Sequence, residues 1–256
     1  MNLSAIPAFA DNYIWMLHDG AQAIVVDPGD AAPVRAALEA AGLQLQAILV
    51  THHHPDHVGG VDALRLILQG PVYGPARESI PQPFVPLADG DCIDVIGQRF
   101  RVIDVPGHTA GHIAYFQETS GSAPILFCGD TLFSAGCGRL FEGTPTQMLA
   151  SLSALNDLPG DTQVCCTHEY TLSNLRFADA VEPANPAIRA HITLCQQTRA
   201  AGRPTLPSRL DRERLINPFL RCTEPAVIDS ALAQGAGGRG PVEVFAALRE
   251  WKNHYR

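Results

Sequence analysis

No C-x-x-C pair occurs in this sequence, and its seven cysteines are an odd number. Cys165 and Cys166 are adjacent in an apolar segment, so the cysteines read as buried free thiols of a reducing cytoplasm rather than a disulfide framework. Basic charge is scarce: 18 Lys and Arg stand against 26 Asp and Glu, a formal net charge of −8. That balance argues against general nucleic-acid affinity, which needs a basic surface. Residues 1–6 have neither the basic nor the apolar region of a signal peptide. No apolar run approaches the ~20 residues that span a bilayer. A G-x-S-x-G elbow is absent too, which removes a common serine-hydrolase signature. The expectation is a cytoplasmic monomer with a small-molecule partner and no nucleic-acid or membrane partner.

What is present is a globular composition. Of 256 residues, 46% are hydrophobic and 17% charged. This suits a sizeable core, in one large domain or in one domain plus a smaller one. Short β-like runs fill the first two-thirds, at 13–17, 23–26, 47–50, 100–105, 113–116, 125–128 and 163–166. Between them lie helical patterns at 32–41, bounded by Pro33 and Gly42, at 61–68 and at 145–155. Strands mixed with helices indicate an α/β or α+β core with covered sheets. After Tyr170 helical composition dominates, at 172–181, 186–201 and 241–255, with loops at 204–208 and 235–241. Residues from about 169 to 256 read as a mostly helical appendage.

The densest chemistry is Thr51-His52-His53-His54-Pro55-Asp56-His57, four imidazoles and a carboxylate in seven residues. It follows the apolar run 47–50 and precedes Val58-Gly59-Gly60, so it reads as a buried strand end spilling into a turn and a helix. N and O ligands without cysteine suggest a catalytic metal rather than a structural zinc knot. In an extended chain residues two apart point the same way. His52 and His54 therefore project together, and His53 lies on the other side, outside the ligand set. Asp56 and His57 form a second pair, which suits two neighbouring metals. Further ligands stand at other strand ends: His108 beyond Val105, Asp130 beyond Phe127 and His168 beyond Cys166. Each of these three, taken alone, reads first as a turn or cap residue.

Other residues carry weaker signals. His112 reads as a support of the site or as packing. Asp27, in Val25-Val26-Asp27-Pro28-Gly29, is either a turn former or a carboxylate orienting a ligand imidazole. His18, His191 and His254 read as ordinary surface or helix histidines. Arg249 and Lys252 are three apart on the last helical pattern and face the same way. They form either a solvated basic face or a local cation site for an acidic ligand.

Together these residues resemble the metallo-β-lactamase superfamily, whose signature is T-H-x-H-x-D-H, and within it the glyoxalase II (hydroxyacylglutathione hydrolase) family. The similarity runs nearly end to end. It includes Asp11-Asn12-Tyr13-Ile14-Trp15, the run 51–57, Gly129-Asp130-Thr131-Leu132-Phe133-Ser134-Ala135-Gly136-Cys137-Gly138-Arg139 and Cys166-Thr167-His168-Glu169-Tyr170-Thr171. Leu206-Pro207-Ser208, Asn217-Pro218-Phe219-Leu220-Arg221 and Leu248-Arg249-Glu250-Trp251-Lys252 extend it through the C-terminal part. The resemblance implies an α/β metallo-β-lactamase fold, a four-layer αββα sandwich over 1–168, followed by a helical substrate-binding domain over 169–256. It implies two divalent metal ions, zinc first, with iron or manganese also acceptable to such donors. His52, His54 and His108 would hold one metal, Asp56, His57 and His168 the other, and Asp130 would bridge them. Glutathione contacts would come from Arg139, Leu140 and Phe141, from 168–170 with His168 and Tyr170, and from Arg249 and Lys252. Some members have Lys at position 139 and Tyr at 141; here Arg139 keeps the charge and Phe141 lacks the hydroxyl.

The implied reaction is hydrolysis of an S-(2-hydroxyacyl)glutathione, such as S-D-lactoylglutathione, to glutathione and a 2-hydroxy acid, the second step of methylglyoxal detoxification. Metal coordination can lower the pKa of a bound water, far above the physiological range in bulk, to about 7. A metal-bridging hydroxide, with Asp56 and Asp130 as the carboxylates of the site, would then attack the thioester carbonyl without a Ser or Cys nucleophile. The rival reading is another dinuclear hydrolase of the superfamily, a lactonase or β-lactamase. A nuclease is disfavoured by the acidic balance, and a non-catalytic metal sensor by the complete ligand set.

Overall fold

The computed structural model describes residues 1–118 and 122–255. The chain forms two compact units. One comprises Met1–Asp104, Ala110–Gly129 and Cys165–His168; the other comprises Val105–Thr109, Asp130–Val164 and Glu169–Arg256.

Two sheets build the first unit. One has the order Asn2–Ala8, Asn12–His18, Gln22–Val26, Gln44–Leu49, Val72–Pro75, Val85–Leu87. Its first three strands are antiparallel and its later pairings parallel. A parallel pairing needs a crossover, and the helix Ala31–Ala41 supplies the first. Asp30 caps that helix by accepting from the Ala32 N–H, and Gly42, at φ 65°, ends it. The period-two alternation of the strands fills both faces. Ile14, Met16, Val25 and Ile48 share a core with Val34, Leu38, Val61 and Leu64. Trp15, Leu17, Ile24 and Leu49 are just as buried on the opposite face. The second sheet of this unit runs Cys92–Val95, Gln98–Asp104, Ile113–Gln117, Ile125–Gly129 in antiparallel pairs.

Of the helix expected at 61–68 only Val61–Leu64 forms, and a separate short helix, Pro55–Val58, precedes it. A Cβ on Gly59 would lie 2.7 Å from the carbonyl oxygens of Gly29 and Pro55. The backbone therefore passes too closely there for any residue but glycine. The strand Asn2–Ala8 also escapes a reading of the sequence. Its first four residues are exposed or half-buried, so no buried alternation marks its start.

The second unit is helical, with Pro145–Asn156, Thr171–Val181, Pro186–Ala200, Leu210–Ile216, Pro225–Ala233 and Pro241–His254. Four of these begin with proline, whose fixed φ and missing N–H suit the first helical position. Thr144 and Gln147 form a capping box ahead of Pro145–Asn156. Ala135, Leu175, Ala178, Ile188, Cys195 and Ile216 make one core. Phe177, Phe219 and Phe245 make an aromatic one, with ring centroids 6.0 and 5.6 Å apart. The stretch expected as a loop at 204–208 ends in a short strand, Ser208–Arg209, paired with Gln163 and Val164. Among the described residues no helix is long and apolar enough to cross a membrane.

Candidate metal centre

In the first unit the strand Gln44–Leu49 delivers the ligand-rich run. Val50 is tied on both sides: its N–H donates to Tyr73 O at 2.9 Å and its carbonyl accepts from Tyr115 Oη at 3.0 Å. The next residue meets a buried anion. Asp27 Oδ1 accepts from the Thr51 N–H and Oδ2 from Thr51 Oγ1, both at 2.8 Å, and Oδ2 lies 3.1 Å from His57 Nδ1. Having donated its hydroxyl hydrogen, Thr51 Oγ1 can only accept from His52 Nδ1, 3.1 Å away. That fixes the His52 tautomer, so Nε2 presents its lone pair. His52 Nε2 and His54 Nδ1 stand 3.1 Å apart. Two nitrogens each about 2.0–2.1 Å from one tetrahedral zinc would be spaced by about 3.3 Å.

His53 turns the other way. Its ring Nδ1 and its backbone N–H both meet Glu78 Oε2 at 2.6 Å, and Glu78 Oε1 accepts from the Gly111 N–H at 3.0 Å. Glu78 thus ties the ligand run to the turn before His112, a role the sequence does not signal. His112 is fully buried and stacks on His52, with ring centroids 4.6 Å apart and planes 18° from parallel. A Cβ on Gly129 would lie 2.8 Å from the His112 ring and 2.3 Å from Thr51 Oγ1, so this close packing requires glycine there.

Asp56, His57 and His168 gather in the same unit, with one ligand atom from each within 4.8 Å of the others. Asp56 Oδ2 is 3.6 Å from His57 Nε2 and 3.5 Å from His168 Nε2. His168 Nδ1 donates to Asp11 Oδ1 at 2.8 Å, and Asn12 Nδ2 donates to Asp56 Oδ2 at 3.0 Å. The carboxylates of Asp27 and Asp11 stand behind His57 and His168, the usual arrangement for a metal-binding imidazole. Sequence reasoning gave Asp11 and Asn12 no such supporting place beside the candidate ligands. Asp11 lies in the turn after Asn2–Ala8 and Asn12 opens the strand Asn12–His18, and an isolated bridge from Asn12 to His168 brings them here. Two imidazoles and a carboxylate, with outward nitrogens held by anions, form a donor set that fits a divalent metal such as zinc.

The second unit places the remaining predicted residues. His108 Nδ1 donates to the Arg139 carbonyl at 2.9 Å, which leaves Nε2 with its lone pair open, 3.5 Å from Asp130 Oδ2. Phe141 packs edge-on against the His108 ring at 5.2 Å and is 63% exposed. Tyr170 packs against Phe133 at 5.4 Å and is partly exposed. Arg249 is buried, not a member of a solvated basic face: Nη1 donates to the Cys137 carbonyl at 2.8 Å and the guanidinium lies over Phe219. Lys252 Nζ donates to Ser173 O at 3.3 Å and lies over the rings of Phe177 and Tyr255. Burial, then the charges of Arg249, Arg176 and Arg139, pull its pKa down to about 8.

The comparisons with known proteins divide the chain near the place where its texture changes. The metallo-beta-lactamase superfamily profile matches residues 9–168, and the profile of the hydroxyacylglutathione hydrolase C-terminus matches residues 169–255. The chain belongs to the hydroxyacylglutathione hydrolase family. Relatives named hydroxyacylglutathione hydrolase from Albidiferax ferrireducens and Dechloromonas aromatica are 58% and 51% identical, each over the whole of both chains. Among solved structures, ETHE1 from Myxococcus xanthus gives a TM-score of 0.66 at 24% identity, covering 98% of each chain. The BLEG-1 B3 metallo-beta-lactamase gives 0.63 at 26% identity over 86% of this chain and 99% of that one. This family of metal-dependent hydrolases has the α+β metallo-β-lactamase fold followed by a helical C-terminal segment, and its His and Asp cluster is a metal site.

Proposed function

We propose that this chain hydrolyses S-(2-hydroxyacyl)glutathione, with S-D-lactoylglutathione giving glutathione and D-lactate. The observation that carries this reading is the match of residues 169–255 to the hydroxyacylglutathione hydrolase C-terminus, since the T-H-x-H-x-D-H run alone serves the whole superfamily. The reading takes 1–168 as the catalytic domain and 169–256 as the substrate domain. It assigns His52, His54 and His108 to one zinc ion, Asp56, His57 and His168 to a second, and Asp130 to both. Bound there, the metals supply Lewis acidity that lowers a water pKa to about 7 and polarises the thioester carbonyl. The chain's own part is to fix the ligands. Asp27 and Asp11 hold His57 and His168, and Thr51 and the Arg139 carbonyl set the tautomers of His52 and His108. Arg139, Phe141, Tyr170, Arg249 and Lys252 bind the glutathione portion, where cations meet its carboxylates and orientation brings the carbonyl to the metals. Glutathione thiolate is a good leaving group and needs little acid assistance. Location in a reducing compartment, as a monomer, completes the reading.

The test is a parallel assay. Zinc, iron and manganese content is measured, then turnover of S-D-lactoylglutathione, a simple lactone and a β-lactam. Dominant turnover of the glutathione thioester by a two-zinc protein is expected. Preferential turnover of the lactone or the β-lactam would replace this reading with that of another superfamily hydrolase.

A further inference from the structure

Outside the proposed ligand set, one carboxylate among the described residues of the second unit is fully buried, that of Glu213 in Leu210–Ile216. Its Oε1 accepts from Ser134 Oγ at 2.8 Å and from Ser208 Oγ. Its Oε2 accepts from the Ala135 N–H at 2.7 Å and from Asn217 Nδ2 at 3.3 Å. Ser134 and Ala135 are the turn of the hairpin formed by Leu132–Phe133 and Gly136–Cys137. Ala135 stands at φ 55°, a left-handed conformation that a residue with a side chain rarely adopts.

The carbonyls of the same hairpin are held as well. Asn174 Nδ2 donates to Ser134 O at 3.1 Å, and Asn217 Nδ2 donates to Phe133 O and Gly136 O at 3.1 and 2.9 Å. The hairpin closes where Asp130 leaves it: Gly138 N–H donates to Thr131 O at 3.1 Å, and a Cβ on Gly138 would lie 2.0 Å from Asp130 O. A shift of the turn therefore reaches both Asp130 and Arg139, which flank the hairpin.

We propose that Glu213 is a positioning residue, which holds Ala135 in its left-handed conformation and so fixes the hairpin between Asp130 and Arg139. This inference rests on the proposed function for the roles of those two residues. The test compares Glu213→Gln with the double variant Glu213→Gln, Ala135→Gly. A glutamine can still accept from the Ala135 N–H and Asn217, but Ser134 Oγ and Ser208 Oγ must then turn to accept from its amide, and the strength that the carboxylate charge lends to the hairpin bonds is lost. We expect kcat/KM for S-D-lactoylglutathione to fall about 10- to 100-fold, as for other groups that orient metal ligands, and zinc retention against a chelator to weaken in parallel. Glycine adopts φ 55° without strain, so Ala135→Gly should restore most of both losses.

Zinc retention and kcat/KM within twofold of the parent would overturn the proposal, and so would a loss that Ala135→Gly leaves untouched. If the parent protein does not turn over the thioester, the functional reading fails, while zinc retention still decides the role of Glu213. Should Glu213→Gln not fold, Ser134→Ala removes a single donor from the same carboxylate. A loss of roughly two- to fivefold in zinc retention is then expected, and none would refute the role.

Discussion

The run 51–57 and the hairpin that follows Asp130 are both held by a buried carboxylate, but the two carboxylates come from very different distances in the chain. Asp27 lies at the end of the strand that pairs in parallel with Gln44–Leu49, so sheet register alone delivers it to Thr51 and His57. Glu213 is 79 positions from Ser134 and arrives on a helix. The contrast has a physical reason. Ligands clustered in sequence share one strand end and need few supports, all nearby in the sheet. A ligand alone on a turn has no such neighbours, and its turn must be held by groups from elsewhere.

The largest effect should come from removing the isolated proposed ligand, Asp130. Asp130→Ala is expected to lose roughly a thousandfold or more in turnover, since several kcal/mol of metal assistance depend on it, and to lower the zinc content of the purified protein. Asp27→Asn keeps every proposed ligand and changes only the group behind Thr51 and His57. Its expected loss is about 10- to 100-fold. Equal losses in the two variants, by turnover and elemental analysis, would erase the distinction between a ligand and its support.

Arg249 and Lys252 sharpen the comparison within the helical region. Arg249→Ala should raise KM and also lower unfolding stability by about 1–3 kcal/mol, because it strands the buried Cys137 carbonyl. Lys252→Ala should raise KM with little change in the urea midpoint. Lys252 has a pKa of about 8, with burial as the first cause, so its charge is present below that pH and lost above it. KM of the parent should therefore rise as pH passes 8, and KM of Lys252→Ala should stay flat over the same range. A parallel rise in the variant would remove Lys252 from the binding of substrate carboxylates.

Much of this was legible in the sequence because the signals were local. Period-two reasoning put His52 and His54 together and His53 apart, as the 3.1 Å nitrogen pair and the Glu78 contact show. The same reasoning said nothing of Glu78, Asp11 or Glu213, which look like ordinary surface acids until the fold brings them in. Their partners are 25, 157 and 79 positions away, beyond the reach of any spacing rule. Leu210–Ile216 went unseen because it has only seven residues and four of them are charged, so no apolar stripe marks it. Arg249 shows the reverse error, since a charge pair on one helix face reads as solvated until burial is known.

His191 offers the mildest test, confined to the helical region. It read as an ordinary surface or helix histidine, yet it is buried on Pro186–Ala200 with Nε2 3.5 Å from Cys195 Sγ. Burial first, and then the charge of Arg212, push its pKa from 6.5 down to about 4. Between those values the unfolded chain binds a proton that the folded chain refuses. The neutral ring's contribution to stability is therefore complete above about pH 6.5 and declines as pH falls towards 4. At pH 5 the penalty is about 1–2 kcal/mol for a group this buried. His191→Gln has no such proton to refuse, so its urea midpoint should fall less than the parent's between pH 7.5 and pH 5. Identical falls would mean that the acid sensitivity of the chain arises at groups other than His191.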